Sequence, residues 1–355
     1  MAISTIAHYE TIRVIVGVDT HRDAHVAVAI DQLGRRLDDL EIPTTPAGYQ
    51  ALLDWAEDFG EIDTVGVEGT NSYGAGLTRA LHAAGVAVVE VVRPNRQKRR
   101  LQGKSDPLDA EHAARAVLAG EAVACPRFYS ADNDTVEMIR VLRVARRTAM
   151  RARTQAINAL RALIVTAPDE LRQQLRALPT TEIIDIAVGF GSDTDDLATT
   201  TKTAMGSLAR RYHNLDEELT ALDAAIAELT TQAAPELVAV FGVGTETAST
   251  LLVTAGANPN RLKSEAAFAM LCGVAPLPAS SGQTTRYRLN RSGDRQANAA
   301  LHRIALVRMR WHQDTRDYVN RRTKEGKTKR EIIRCIKRYI AREIYQILKT
   351  TLDDQ

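Results

Sequence analysis

Four carboxylates stand where they could share one task. Asp19 ends an apolar stretch in VIVGVDTH, Glu68 ends a second in TVGVEGT, and Asp106 and Asp109 lie in GKSDPLDAEHAA. The last two are three apart at the start of a helical pattern, so they share one helix face. Carboxylates gathered at one point repel one another unless divalent cations neutralise them. Oxygen ligands suit Mg2+ or Mn2+, and two such ions can stabilise the entering and leaving oxygens of a phosphodiester displacement. Each acid also has an ordinary structural use. Asp19 and Glu68 could be polar strand ends, Asp106 before Pro107 a helix cap, and Asp109 a first-turn acid. Their joint order along the chain is what favours a metal site.

Such a site needs elements that bring the acids together. Apolar runs and alternation predict strands at 14–18, 25–30, 37–42, 64–67 and 86–92. Three- and four-residue spacing predicts helices at 47–59, 74–84 and 106–118. The order βββαβαβα implies an antiparallel meander extended by parallel strands, a mixed sheet with helices on its faces. This is the order of an α/β RNase H-like fold, whereas a Rossmann domain would begin βαβ. The first and fourth strands then lie side by side and deliver Asp19 and Glu68 to the same sheet edge. The actin and sugar-kinase fold also starts βββα with an early strand-end Asp, but DTHRDAH lacks the glycine its phosphate loop needs.

From 133 to 178 apolar residues recur at helical steps with arginines on the other faces, and 202–233 repeats this with near-heptad spacing. The polar stretch GFGSDTDDLATTT lies between. The expectation is an antiparallel coiled hairpin that spaces domains or mediates self-association. From about 237 the chain reads as compact and mostly helical, with a long polar, Gly-containing segment at 276–294. The expected domains are 1–125, 126–235 and 236–355.

The net charge of +2 conceals segregation: 93–176 and 286–349 are rich in Arg and Lys, while 180–236 is acidic. Such surfaces suit a polyanion. Arg93, Arg96, Lys98, Arg99, Arg100 and Lys104 precede the third acidic element and are candidates to hold nucleic acid beside it. Aromatics are 5% of the chain and few are expected on the surface, so phosphate contact is expected to outweigh base stacking. Cys125, Cys272 and Cys335 share no metal-ligand spacing, which argues against zinc and for a reducing compartment. No run of eighteen apolar residues and no signal-peptide pattern occur, so a cytoplasmic protein without membrane contact is expected.

The motifs GVDTH, VGVEGT and RPNRQKRRLQGKSDPLDA resemble the RuvC-like DEDD domain of the insertion-sequence 110 family of bacterial transposases, bridge-RNA-guided recombinases. FGVGTETASTLL and FAMLCGVAPLPASSGQTTRYRLNRSGDRQANAALHRIAL resemble that family's C-terminal transposase domain. The resemblance implies metal binding by Asp19, Glu68, Asp106 and Asp109. It also implies a serine nucleophile at Ser281, before Gly282, with Ser280 as its neighbour. Arg286, Arg288, Arg291 and Arg295 follow and could hold the scissile phosphate. Donor and target DNA, a structured bridge RNA and a homo-oligomer, a tetramer, are the implied partners. One departure stands out: the family usually has Pro before its GxG turn, and here Phe241 precedes Gly242-Val243-Gly244. That turn offers backbone amides at a helix start, the chemistry of a phosphate clamp.

A serine ester conserves phosphodiester bond energy, so strands can be exchanged without an external energy source. The competing readings are a RuvC-like structure-specific nuclease using water, a related site-specific DNA invertase, and a non-catalytic nucleic-acid scaffold.

Overall fold

The computed structural model describes residues 12–91, 105–127, 135–258, 261–280 and 287–353. The chain forms two compact units, each assembled from separate stretches. One comprises Met1–Asp134, Thr254–Asn298 and Lys337–Gln355; the other comprises Thr135–Val253 and Ala299–Ile336.

The first unit opens with β1 (Arg13–Thr20), β2 (Ala24–Asp31), β3 (Arg36–Pro43), α1 (Pro46–Glu57), β4 (Glu61–Glu68), α2 (Ala75–Ala83), β5 (Val88–Val91) and α3 (Asp106–Leu118). The strands form one mixed sheet in the order β3-β2-β1-β4-β5. β1–β2 and β2–β3 are antiparallel, and β1–β4 and β4–β5 are parallel. Thus the element order read from the sequence makes β1 and β4 neighbours.

Strand alternation divides β1 between two layers. Val14, Val16 and Val18 pack with Leu52 and Leu53 of α1 and Leu77 and Leu81 of α2. On the opposite face Ile15, Val26, Val28 and Ile30 pack with Ala110 and Ala114 of α3. Gly17 and Gly66 are register partners on β1 and β4. A Cβ on Gly17 would lie 2.1 Å from the Ala110 carbonyl oxygen and 2.2 Å from the Ala114 nitrogen. One on Gly66 would lie 2.5 Å from Val117 Cγ2. This glycine pair and the small face of α3 (Ala110, Ala113, Ala114) let the helix backbone lie directly on the sheet.

The rest of the described chain is mostly helical. α4 (Thr135–Thr166), α5 (Asp169–Leu175), α6 (Thr180–Val188) and α7 (Leu197–Ala233) come first. The continuous helix expected at 133–178 is interrupted because Pro168 starts a new helix rather than continuing the old one, and Pro179, just past the expected end, starts the next. α7 starts before the expected 202 because Asp196 and Thr199 form a reciprocal capping box. Arg146–Asp223 and Arg153–Asp216 join α4 to α7 with opposite chain directions, so the two run antiparallel. Leu160, Ile164, Met205 and Ala209 of the long helices share a cluster with Leu171, Leu175, Ile183 and Ile184 of α5 and α6.

Then follow α8 (Pro235–Ala239), α9 (Thr245–Ala255), α10 (Glu265–Leu271), β6 (Leu277–Pro278), β7 (Tyr287–Arg288), α11 (Arg295–Trp311), α12 (Gln313–Lys324) and α13 (Lys329–Asp353). Among the described residues no helix is long and apolar enough to cross a membrane.

Candidate carboxylate centre and serine segment

The β1–β4 register pairs Val18 with Val67, so the next residues, Asp19 and Glu68, emerge side by side on the α3 face. Both are nearly inaccessible, at 4% and 2% exposure. Thr20 Oγ1 donates to the Glu68 carbonyl oxygen at 2.8 Å and ties the two strand ends together. Because α3 is seated on the glycine pair, its first turn reaches this same edge. Asp109 is buried in that turn, and Asp106 begins the helix with a half-exposed side chain. Acids at a helix start are favoured by the backbone dipole, so the segment tolerates both.

The centre also holds a residue that spacing did not single out. His21 Nε2 lies 3.3 Å from Asp19 Oδ2 and 3.4 Å from Asp106 Oδ2. Ligand atoms of Asp19, His21 and Asp106 all fall within 4.8 Å of one another, a set that fits a divalent cation. Glu68 lies beside Asp19 in the sheet and Asp109 follows Asp106 by one helical turn. The signal for His21 was present in GVDTH, but a lone His two residues after an Asp carries no specificity.

Ser281, Gly282 and Arg286 lie outside the described residues, as do Arg93, Arg96, Lys98, Arg99, Arg100 and Lys104. The frame that carries the serine is described. β6 and β7 pair as a short antiparallel ladder, Leu277 with Arg288 and Pro278 with Tyr287, and Ser281 falls in the connection between them. Ser280, Arg288, Arg291 and Arg295 are exposed. Beneath them, a Cβ on Gly293 would lie 2.1 Å from the Gly273 nitrogen, so only glycine permits this approach. Asn298 Nδ2 donates to the carbonyls of Cys272 and Gly273 at 3.0 Å, and buried Lys337 donates to Asn298 Oδ1 at 2.6 Å. Burial lowers the Lys337 pKa and pushes the Cys272 thiol far up, which leaves that thiol protonated and unreactive. Asn258 Nδ2 donates to the Pro126 carbonyl at 3.0 Å, and the amides of Ala257 and Asn258 donate to that of Arg127. The serine frame therefore belongs to the same compact unit as the acidic sheet edge.

In the second unit the GxG turn uses its amides internally. Val243 N donates to the Val240 carbonyl at 2.9 Å and Gly244 N to Thr247 Oγ1 at 3.1 Å. Two donors that the sequence offered to a phosphate are thereby engaged within the chain.

Residues 16–167 match the family model of the IS110 DEDD transposases, and residues 234–320 match that of the transposase IS116/IS110/IS902 family. The chain belongs to the IS110 transposase family. The first match spans the sheet, all four acids and α4; the second spans the GxG turn and the serine frame. The IS110-family chain is thus a transposase, an enzyme that acts on DNA. No curated protein matches it.

Proposed function

We propose that this transposase cleaves and exchanges DNA strands through a phosphoserine ester at Ser281, with a divalent cation at the carboxylate edge and a structured bridge RNA as guide. The observation that carries the reading is the convergence of Asp19, His21 and Asp106, with Glu68 and Asp109 buried at adjoining positions. The mixed-sheet order supports a RuvC-like, RNase H-like assignment for 1–125, with 126–235 as a helical coiled insertion and 236–355 as the transposase domain. Asp19, Glu68, Asp106 and Asp109 would hold Mg2+ or Mn2+, which offsets charge on the phosphate oxygens.

The hydroxyl of Ser281 attacks phosphorus, its proton passes to a base, and the bond to the leaving DNA oxygen breaks as that oxygen takes up a proton. Attack by a hydroxyl of the partner strand reverses these steps and frees the serine. Arg286, Arg288, Arg291 and Arg295 offset the charge that builds on the phosphate, and the basic run from Arg93 to Lys104 holds the nucleic acid nearby. Met138, Val141 and Val144 form an exposed apolar stripe on α4, which supports self-association, as a tetramer in this reading. The reading places the enzyme in the cytoplasm with donor and target DNA.

The test is to trap the reaction on a nicked suicide substrate and map the protein–DNA adduct. An adduct at Ser281, absent in Ser281→Ala and kept in Ser280→Ala, is expected. Recombination that persists in Ser281→Ala would overturn the serine step, and strand cleavage that persists there without recombination would leave a water-using nuclease.

A further inference from the structure

The departure at the GxG turn places an aromatic side chain where the family resemblance leads to proline, and the second unit leaves that residue half-exposed. Phe241 is 48% exposed, and on α11 Val307 and Trp311 are 40% and 65% exposed. Val307 and Trp311 are four residues apart and share one helix face. Gly242, at φ +81, is seated against Val307 and Arg308, a conformation that favours glycine. Arg308, 8% exposed, donates its Nε to the Phe241 carbonyl oxygen at 2.9 Å. The Phe241 ring lies 5.2 Å from that of His312, and the Arg310 guanidinium sits 4.8 Å from the Trp311 ring centre.

Burying a guanidinium costs desolvation energy, which packing recovers when the group it fixes is covered. Here one of its bonds holds the main-chain carbonyl of Phe241, a residue that is 48% exposed. An exposed aromatic has only two side-chain torsions to fix and so loses little entropy on meeting a flat partner, which makes it an efficient binding element. The surroundings state the partner's charge: between residues 299 and 336 there are eleven Lys and Arg against four Asp and Glu. Aromatic faces set among arginines are the chemistry that recognises unpaired bases, whose faces stack while their phosphates are neutralised. A duplex offers no free base faces along its length. A phosphate clamp is disfavoured because two of the turn's amides are already bonded within the chain.

We propose that Phe241 and Trp311, with Arg310, form a stacking platform for unpaired nucleotides of the nucleic acid on which this transposase works. The platform is independent of the metal and serine steps, so its test reads binding alone. The probe is Trp311 fluorescence in the full-length Trp55→Phe protein, in which Trp311 is the remaining tryptophan. Short oligomers of thymidine and of uridine serve as DNA and RNA single strands, and a mixed-sequence duplex serves as the comparison. Saturable quenching by a single strand is expected, and the chemistry of the strand that quenches more identifies the source as DNA or RNA. Trp311→Ala and Phe241→Ala, followed by anisotropy of a labelled oligomer, should each weaken single-strand binding about tenfold while duplex binding changes less than twofold. If Phe241→Ala does not fold, Phe241→Leu keeps the apolar volume and removes the ring. Equal losses for single strand and duplex, or absence of quenching, would overturn the proposal. So would a drop in sedimentation coefficient in Trp311→Ala with single-strand affinity intact, which would assign the rim to contact between copies.

Discussion

On β1, Val14, Val16 and Val18 face the α1–α2 layer, while Ile15, Gly17 and Asp19 face α3. The first face is apolar throughout and is filled by Leu52, Leu77 and Leu81. The second changes character along its length, from Ile15 through the glycine pair to the acids at the edge. A strand gives its two faces separate sequences at no structural cost, because alternate residues never compete for the same space. The core face sets the register; the α3 face uses that register to bring Asp19, Glu68 and the first turn of α3 to one place.

The largest effect that separates the faces is expected at Gly17. Gly17→Val would drive a side chain into the α3 backbone, where Ala110 and Ala114 cannot yield without moving the helix. The expected loss is more than about 3 kcal/mol, the upper range for overpacking, and chemical denaturation would measure it. A loss below about 1 kcal/mol would mean that α3 is not held on the glycine pair.

A smaller effect belongs to the other face. His25 pairs with Thr20, is wholly buried, and stacks on Tyr49 at 6.0 Å between ring centres. Burial lowers its pKa below the usual 6.5; the Ala24 carbonyl opposes this in part, and the nearby charge of His21 adds to it. The folded state therefore keeps His25 neutral while the unfolded chain takes up a proton. Stability is full above about pH 6.5 and declines as pH falls from there toward the lowered folded value. His25→Phe should flatten the melting temperature between pH 7 and pH 5 relative to wild type. An unchanged slope would remove His25 from the account.

What was legible in the sequence follows from range. Asp19 and Glu68 as strand ends, and Asp106 as the first residue of its helix, are local signals, and the structure places each there. Pro168 was equally local, yet the helical pattern read across it concealed the break. His21 meets Asp106 because α3 crosses Gly17, a contact between segments about ninety residues apart that spacing cannot express. The Gly273–Gly293 approach and the return of 337–355 to the first unit are likewise long-range. Composition also misled on the surface. Aromatics are scarce, but Trp311 and Phe241 are among those left exposed.

The central claim is that the α3-side sheet edge is where a divalent cation and the phosphodiester meet. Its most direct test measures strand cleavage by wild type and Asp19→Asn, with Mg2+ or Mn2+ and with excess chelator, alongside Mn2+ binding and melting temperature. The account predicts that chelator abolishes wild-type cleavage. It also predicts that Asp19→Asn lowers cleavage more than about a hundredfold and weakens Mn2+ binding without a fall in melting temperature. Full cleavage in chelator, or wild-type rates in Asp19→Asn, would contradict it.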